Sequence, residues 1–279
     1  MDAPDGPVAV LGGGVMGEAL IAAMLRTGLS PADLVVSEKV EHRAAELAER
    51  HGVRVATSTQ DAVRGARIVL LAVKPKDAAE ALAEARPALA EGCLLVTVVA
   101  GLPTSFYESR LPLGTPVVRV MPNTPAVIGQ GASAMSAGSV AGPEHLAAVA
   151  TLLAATGLVV TVPEQDLDAV TAISGSGPAY VFYLVDALAE AGVLLGLGRD
   201  QALELAVATF RGAAGLLVET GDHPVTLRER VSSPGGTTVA GLRELDAHGV
   251  RAAIVAAAAA ARDQSRELAR EADSGGQVG

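Results

Sequence analysis

The stretch Val8-Ala9-Val10-Leu11-Gly12-Gly13-Gly14-Val15-Met16-Gly17 decides the fold of this chain. Its first four residues form an apolar run of strand length, and its last six match the pattern G-x-G-x-x-G. A helical pattern follows from Val15 to Thr27, so the glycines stand between a strand and a helix. In this context the free N–H groups and the positive dipole end of the helix face a bound phosphate, which indicates a dinucleotide-binding loop.

Each glycine of the loop has its own physical task. Gly12 permits the tight turn, Gly14 lets the backbone approach a pyrophosphate, and Gly17 lets helix and strand pack closely. A glycine-rich turn without a ligand shows the same letters, but the flanking strand and helix favour dinucleotide binding.

Strand and helix patterns alternate in the chain that follows the loop. A continuous apolar run such as Ile68–Val73 is typical of a strand buried in a parallel sheet. Parallel neighbours need crossover connections, which helices usually provide. The other strand patterns lie at Leu34–Val36, Arg54–Ala56, Leu94–Val99 and Val117–Val120. Residues 1–163 are therefore predicted to form an α/β domain, a Rossmann-like doubly wound sheet that binds a dinucleotide.

The pattern changes after Glu164, where no further strand is convincing. Long stretches rich in Ala and Leu lie at Ala179–Gly192, Gln201–Glu219, Val239–Ala247 and Val250–Ala269. Residues 164–279 are therefore predicted to form a second, all-helical domain.

Composition and charge exclude several classes of protein. Half of the 279 residues are hydrophobic and 19% are charged, which excludes a disordered chain. With no Trp, three Phe and three Tyr, the core must consist of Ala, Val and Leu, which favours close helix packing. The formal net charge of −10 argues against nucleic acid or an anionic membrane as a partner. The longest apolar run, Ala252–Ala261, is too short to span a bilayer.

The cysteine and histidine residues bear on the cellular compartment of the protein and on the kind of reaction that it can carry out. The single cysteine, Cys93, cannot form an internal disulfide, and the first seven residues are acidic, unlike a signal peptide. We therefore expect a cytoplasmic protein. The five histidines lack metal-ligand spacing and there is no C-x-x-C, so no metal site is expected. A bound cofactor, rather than an activated side chain, should carry the reaction.

The second strand ends in residues that bear on the choice of dinucleotide. An acidic residue about 20 positions beyond the glycines usually binds the ribose hydroxyls, and Glu38 can do so for NAD. Ser37, Lys39 and Arg43 can instead receive the 2′-phosphate of NADP. Because neighbouring strand residues point to opposite faces, only one of Ser37 and Glu38 should dominate. The sequence leaves NADP and NAD open, with a slight preference for NADP.

Three loops follow later strands at the edge where ligands of parallel sheets bind. Ala72-Val73-Lys74-Pro75 places Lys74 near a cofactor, although Pro75 also suits the start of a helix. The small residues Ala100 and Gly101 leave room for a flat nicotinamide ring. Asn123, between two prolines, is more typical of a turn residue than of a ligand contact.

Two loops of the helical part are rich in glycine and hydroxyl groups. In Ser174-Gly175-Ser176-Gly177-Pro178, the proline suits the first position of a helix and the residues before it suit a cap. Ser232–Thr238 holds two glycines and four hydroxyls before a helix that should begin near Val239. Such a loop suits a carboxylate or a phosphate, and it also suits a plain capping loop.

These motifs stand in a familiar order. Gly12–Gly17, Ala72–Pro75, Met121–Pro125, Ser174–Tyr180 and Val231–Thr238 together resemble pyrroline-5-carboxylate reductase over essentially the whole chain. The last two motifs are more specific than the glycine pattern. The resemblance implies a Rossmann domain that binds NADP(H), or NAD(H), and helices that interleave with a second subunit in a homodimer or a dimer-based higher oligomer. It also implies an active site shared between the two subunits.

The resemblance carries over to individual positions. The cofactor contacts that it and the end of the second strand imply are Leu11, Gly12, Gly13, Gly14, Val15, Met16, Ser37, Lys39, Ala72, Val73, Lys74, Pro75, Val98, Val99 and Ala100. The substrate contacts that it implies are Glu164, Ser233, Gly236, Thr237 and Thr238. Glu164 can equally be a surface charge in an interdomain turn. The chain departs from the family at Thr59-Gln60 and Arg230, where Asn is frequent, so the cofactor contacts there are open.

The implied reaction is the last step of proline biosynthesis. A hydride passes from the nicotinamide to the imine carbon of 1-pyrroline-5-carboxylate, and Thr238 donates a hydrogen bond to the imine nitrogen or relays a proton. One alternative is a related Rossmann reductase acting on another imine or on a hydroxyacid, which would not need the 233–238 loop. The other is a non-catalytic dinucleotide sensor, which would bind cofactor without turnover.

Overall fold

The computed structural model describes residues 6–275, so the expectation about the acidic first residues concerns positions mostly outside this range. The strands are β1 (Val8–Leu11), β2 (Leu34–Ser37), β3 (Arg54–Val55), β4 (Ile68–Leu71), β5 (Leu94–Thr97), β6 (Val117–Met121), β7 (Gly131–Ala137) and β8 (Gly157–Thr161). They form an eight-stranded sheet in the order β3-β2-β1-β4-β5-β6-β7-β8. The first six strands are parallel, β7 is antiparallel to β6, and β8 is parallel to β7. The order reverses between β1 and β4, so the predicted Rossmann-like sheet is confirmed.

The helices complete the alternation and then dominate the C-terminal part. They are α1 (Val15–Arg26), α2 (Glu41–His51), α3 (Thr59–Val63), α4 (Ala78–Ala85), α5 (Thr104–Glu108), α6 (Pro143–Leu153), α7 (Leu167–Val170), α8 (Gly177–Leu194), α9 (Arg199–Thr220), α10 (Pro224–Arg230), α11 (Thr237–Ala247) and α12 (Val250–Gly275). No strand occurs among the described residues after Thr161, which agrees with the predicted helical part.

The strands β7 and β8 have no counterpart in the sequence prediction. β7 has the sequence GASAMSA, in which only Met135 has a large side chain, so its strand propensity is weak. β8 lies at the sheet edge and exposes Leu158 and Val160, so burial does not mark its pattern. Tertiary pairing with β6 and the following chain, rather than local preference, makes these segments strands.

The core of the sheet lies on both of its faces, and small aliphatic residues form it as expected. In β1, Ala9 and Leu11 join one buried cluster, while Val8 and Val10 join the other. The alternation follows from the two-residue period of a strand. Each cluster is covered by helices, so the strands are buried on both sides, as a parallel sheet requires.

A carboxylate joins α1 to α2 behind the glycine loop. Glu18 is ion-paired with Arg43, and with Arg50 at 2.6 Å, and hydrogen-bonded to His51 at 3.0 Å. Its side chain is 19% exposed. Partial burial acts to raise the pKa of Glu18, but the hydrogen bonds from Arg43, His51 and Arg50 outweigh burial and lower the pKa to about 2.

Glu18→Gln should lower the free energy of unfolding by about 2 kcal/mol at pH 7, because a carboxylate with a depressed pKa stabilises the folded state. That stability is present above pH 4.5, the ordinary pKa of a glutamate, and is lost as the pH falls toward 2. Urea unfolding between pH 7 and pH 3.5 measures it. Glu46→Gln is the control, because Glu46 also pairs with Arg43 but is 49% exposed. An equal loss in the two variants would contradict this role for Glu18.

Contacts divide the chain into two compact units. One consists of the sheet region up to Ser176 with the segment from Ala261, and the other is Gly177–Ala260. Within the second unit, α8 and α9 approach so closely that a Cβ on Gly192 would lie 2.9 Å from the Cβ of Ala202. The close helix packing expected from the small residues is therefore present here.

The helices of the second unit leave much apolar surface uncovered within one chain. Phe182, Tyr183, Leu195 and Val218 are among its exposed large apolar side chains. The helical stretches Glu164–Leu194 and Arg199–Thr220 are long and apolar enough to cross a membrane, and little of either is buried. Neither stretch is an uninterrupted apolar run like Ala252–Ala261, because each contains a few charged residues, and this is why the longest apolar run did not indicate them. An apolar surface of this extent needs a covering partner.

Candidate functional site

Sheet register brings the predicted cofactor motifs to one edge. Leu11 at the end of β1 pairs with Ser37 of β2 and with Leu71 of β4. Beyond these pairs the backbone continues the ladder, with the Gly12 N–H donating to the Ser37 carbonyl at 2.9 Å and the Ala72 N–H to the Leu11 carbonyl at 2.8 Å. The glycine loop, the end of β2 and the Ala72–Pro75 loop therefore lie together at the switch point of the sheet.

The glycine loop has the geometry that its sequence predicts. Gly12 has φ +99°, and a Cβ there would lie 2.7 Å from the Ala72 carbonyl oxygen. A Cβ on Gly17 would lie 2.1 Å from the Gly12 carbonyl oxygen. Gly14, the residue before α1, has no atom within 4 Å of its Cβ position and is exposed. The loop is therefore tight on its inner side and open where a pyrophosphate would approach the start of α1.

A cavity of about 360 Å³ lies against this loop and collects many of the predicted residues. Its lining includes Leu11, Gly12, Gly14, Ser37, Lys39, Ala72, Val73 and Lys74. The remaining predicted contacts, which do not line it, are Gly13, Val15, Met16, Pro75, Val98, Val99 and Ala100. Gly13 and Val99 are buried, whereas Val15 and Ala100 are exposed at the same edge. A glycine cradle and a cavity at the switch point fit a dinucleotide.

Glu38 has a different environment from the one that strand alternation suggested. Both Ser37 and Glu38 line the cavity. Because β2 ends at Ser37, Glu38 lies outside the strand and does not follow its alternation of faces. One Glu38 carboxylate oxygen accepts the Gly13 N–H at 2.7 Å, and the other accepts the Val40 N–H at 2.9 Å. Strand alternation therefore keeps neither residue out of the cavity, and which of the two dominates the cofactor contact stays a prediction. Glu38 also holds the loop itself.

The cationic candidates for a 2′-phosphate are both engaged with carboxylates. Arg43 is ion-paired with Glu18 and Glu46, and its Nε donates to the Gly13 carbonyl at 2.8 Å. Arg43 therefore supports the loop from the side away from this cavity and does not line the cavity. Lys39 lies 2.7 Å from Glu80, and this hydrogen bond raises the pKa of Lys39.

The sequence did not indicate that Glu84 lines the cavity. It also did not indicate which side chains hydrogen-bond to Thr59. Glu84 lies 3.6 Å from Lys39 and accepts a hydrogen bond from the Thr59 hydroxyl at 2.7 Å. Thr59 in turn lies 3.4 Å from the Ser37 hydroxyl. These contacts join α3 and α4 to the end of β2. No local pattern on α4 distinguishes Glu84 from Glu80, the other acid of this helix.

Glu164 is held inside the sheet unit. Its two carboxylate oxygens accept the N–H and the hydroxyl of Thr104, each at 2.7 Å, and Arg119 donates to it at 3.2 Å. Arg119 is only 9% exposed. Glu164 is therefore not a free surface charge in a turn. It ties the start of α5, which follows the Ala100–Pro103 loop, to β6.

Glu164→Gln should lower the free energy of unfolding by about 2 kcal/mol, because it leaves the nearly buried Arg119 without its carboxylate. Thermal unfolding of Glu164→Gln, Arg119→Leu and the double variant measures the coupling. We expect the double variant to lose less stability than the sum of the two single variants. Strict additivity, together with a raised KM for substrate, would instead favour the substrate-contact role of Glu164.

Asn123 connects segments that are distant in the sequence. Its amide donates to the Ser174 carbonyl at 3.0 Å, and its carbonyl oxygen accepts the Ala132 N–H at 2.8 Å. The side chain is 8% exposed. Asn123 thus has a structural role, as expected, although it reaches well beyond its own turn.

The Ser174–Pro178 segment is not a helix cap. A π-helical turn at Thr171–Gly175 continues α7, and α8 begins at Gly177, so the chain stays helical with only a bend at Ser176. A Cβ on Gly175 would lie 2.7 Å from the terminal methyl of Met121. The glycine thus packs closely against the flexible end of Met121, a contact that the cap interpretation did not include.

The Ser232–Thr238 loop, within the second unit, is a tight turn that leads directly into α11. The Gly236 N–H donates to the Ser233 carbonyl at 2.9 Å, and Gly235 has φ +71°. Pro234 followed by such a glycine is the signature of a type II turn. α11 then begins at Thr237, two residues before the predicted helix start at Val239. Its first N–H groups have no hydrogen-bond acceptor within the helix. Ser233, Gly236, Thr237 and Thr238 are thus brought together at one helix start, while Arg230 is ion-paired with Asp222.

The structure defines a dinucleotide-binding Rossmann protein, on the evidence of the glycine cradle, the cavity at the switch point and the parallel strand ends. Residues 7–101 match the family described as NADP oxidoreductase, coenzyme F420-dependent. Residues 164–268 match the family described as pyrroline-5-carboxylate reductase dimerisation. The chain is 45% identical to the pyrroline-5-carboxylate reductase of Mycobacterium tuberculosis, over 94% of this chain and 96% of the relative. The chain therefore belongs to the pyrroline-5-carboxylate reductase family.

Solved structures agree with this membership. The pyrroline-5-carboxylate reductase of Coxiella burnetii matches with a TM-score of 0.89 at 31% identity, covering 94% of this chain and 98% of that one. The Plasmodium falciparum pyrroline carboxylate reductase, solved with NADP bound, matches with a TM-score of 0.86 at 26% identity, covering 96% and 100%. The resemblance that the motifs indicated is confirmed along nearly the whole chain.

Proposed function

We propose that this chain reduces 1-pyrroline-5-carboxylate to L-proline with NADPH or NADH, the last step of proline biosynthesis. The observation that carries the proposal is the 45% identity to a pyrroline-5-carboxylate reductase over 94% of the chain. The tight glycine cradle and the cavity beside it independently support nicotinamide-dinucleotide binding.

The cofactor is assigned to the edge of the sheet. Gly12, Gly13 and Gly14 with the start of α1 would receive the pyrophosphate. Among the residues that the structure describes, no carboxylate lies within ion-pair distance of Lys74, so its ammonium is available to a phosphate. When bound, the nicotinamide supplies a hydride to the substrate. The further proposed contacts at this edge are Leu11, Val15, Met16, Ser37, Lys39, Ala72, Val73, Pro75, Val98, Val99 and Ala100.

The substrate is assigned to the loop before α11. The first N–H groups of α11 and the Ser233 and Thr237 hydroxyls would hold its carboxylate, since both the unpaired N–H groups and the helix dipole favour an anion. Thr238 would hydrogen-bond the ring nitrogen, which gains a proton as the imine carbon gains the hydride. A side chain at Gly236 would crowd the turn, because a Cβ there would lie 2.5 Å from the Ser233 hydroxyl and 3.0 Å from the Ser233 carbonyl oxygen. Glu164 remains a proposed substrate contact, although the structure uses its carboxylate elsewhere.

We propose two functional segments, residues 1–163 for the dinucleotide and residues 164–279 for dimerisation and substrate. The dimerisation match, which starts at residue 164, supports this boundary. The exposed apolar faces of α8 and α9 support burial against a second copy rather than a membrane. We propose that the protein is cytoplasmic and forms a homodimer or a dimer-based oligomer. Its acidic net charge supports the further proposal that it binds neither nucleic acid nor membrane.

The test is oxidation of NADPH and of NADH by the purified protein in the presence of pyrroline-5-carboxylate, with proline identified as the product. Other cyclic imines and 2-hydroxy acids are assayed in parallel. Turnover to proline with either cofactor is the expected result. Faster turnover of a different imine or of a hydroxyacid would favour a related reductase. Cofactor binding without any turnover would indicate a dinucleotide sensor.

A further inference from the structure

The end of the cofactor site beyond β2 is acidic. A cavity of about 810 Å³ lies beside Ser37, where the ribose of a bound dinucleotide is expected. Its charged lining consists of the carboxylates of Glu38, Glu41 and Glu84 and the ammonium of Lys39. Three acids and one base are an unusual setting for the 2′-phosphate of NADP, which carries about −1.5 to −2 charges at pH 7.

Glu84 differs from Glu38 in what it contacts. Both carboxylate oxygens of Glu38 already accept backbone N–H groups, from Gly13 and from Val40. Glu84 instead accepts the Thr59 hydroxyl at 2.7 Å and lies 3.6 Å from the Lys39 ammonium. These two groups, with the Ser37 hydroxyl 3.4 Å from Thr59, are the donors that a 2′-phosphate would use.

We propose that Glu84 is a specificity-determining residue that weakens binding of the 2′-phosphate and thereby keeps NAD(H) usable beside NADP(H). A 2′-phosphate that takes Thr59 and Lys39 must displace the Glu84 carboxylate or lie beside it, and two like charges in contact repel. A 2′-hydroxyl carries no charge and can donate a hydrogen bond to the same carboxylate. The inference rests on the proposed reductase function and names its cofactor selectivity.

Glu84→Gln tests this inference, since the amide keeps the size of the side chain and an acceptor for Thr59. Calorimetric titration with adenosine 2′,5′-bisphosphate and with adenosine 5′-monophosphate measures the subsite without catalysis. The affinity for the bisphosphate should rise about tenfold, while that for the monophosphate changes by less than about twofold. The ratio of kcat/KM for NADPH to that for NADH should rise in the same direction.

Glu80→Gln is the matched control. Glu80 is closer to Lys39, at 2.7 Å, yet it lines neither cavity, so its bisphosphate affinity should change by less than about threefold. Glu84→Asp, which keeps the charge, should retain the wild-type ratio. An unchanged bisphosphate affinity in Glu84→Gln, or an equal rise in Glu80→Gln, would overturn the inference. Wild-type protein that binds both nucleotides but does not turn over pyrroline-5-carboxylate would contradict the proposed function alone, because the titrations still decide the role of Glu84.

Discussion

Gly17→Ala is expected to weaken dinucleotide binding strongly and to destabilise the sheet unit. The added Cβ would lie 2.1 Å from the Gly12 carbonyl oxygen and 3.1 Å from the Gly12 carbonyl carbon. Both are backbone atoms, so no side-chain movement can relieve the clash. The start of α1 must then move away from the loop that it follows, which misplaces the N–H groups offered to the pyrophosphate. We expect at least about a hundredfold loss of cofactor affinity, since such geometry tolerates little misplacement.

Gly14→Ala is the control for this experiment. Gly14 has φ −65° and an open Cβ position, so the variant should fold with nearly wild-type stability. Its extra methyl group would still stand where the pyrophosphate approaches, and its cofactor affinity should fall moderately. Titration with NADPH and thermal unfolding of both variants separate the two effects. Wild-type cofactor affinity in Gly17→Ala would show that cofactor binding does not depend on the close packing of α1 against the glycine loop.

The sequence predicts the Rossmann part of the fold because its signals are local. The apolar run at Ile68–Val73 and the glycines of Gly12–Gly17 each indicate one element or one turn. β7 could not be found in this way, since a strand of Gly, Ala and Ser with a single Met is specified by its pairing with β6. The π-helical turn at Thr171–Gly175 was missed for a similar reason. Its glycine packs against Met121, which is distant in the sequence.

The candidate site also contains residues whose roles local sequence signals predict and residues whose roles depend on long-range contacts. Gly17 is constrained by the Gly12 carbonyl, which belongs to the motif itself, so its role could be predicted. The tight turn at Gly12 could also be predicted, but its close approach to Ala72 depends on the pairing of β1 with β4. Glu84 reaches the cavity only because α4 packs beside the end of β2, and this depends on the whole sheet. Glu164 was assigned to substrate by resemblance, whereas its hydrogen bonds to Thr104 connect residues 60 positions apart. Such long-range partners carry no signature in a single sequence.

Thr238→Ala is expected to lower kcat by about a hundredfold or more, the usual effect of losing a group that assists proton transfer. Thr238 lies in the first turn of α11, directly after the Ser233–Gly236 turn, and its side chain is half-buried. Without the hydroxyl, the nitrogen that must gain a proton loses its proposed hydrogen-bond donor. Cofactor affinity should stay unchanged, because the glycine loop and its cavity belong to other elements. Steady-state kinetics with pyrroline-5-carboxylate and a separate NADPH titration measure the two quantities.

Thr238→Ser and Thr238→Val separate the hydroxyl from the shape of the side chain. Serine keeps the donor, so Thr238→Ser should recover most of kcat, whereas valine keeps the volume and should resemble Thr238→Ala. If alanine and valine both retain a kcat/KM near that of the wild type, Thr238 does not act on the imine nitrogen. The N–H groups at the start of α11 would then still account for carboxylate binding, and the proton would have to come from water.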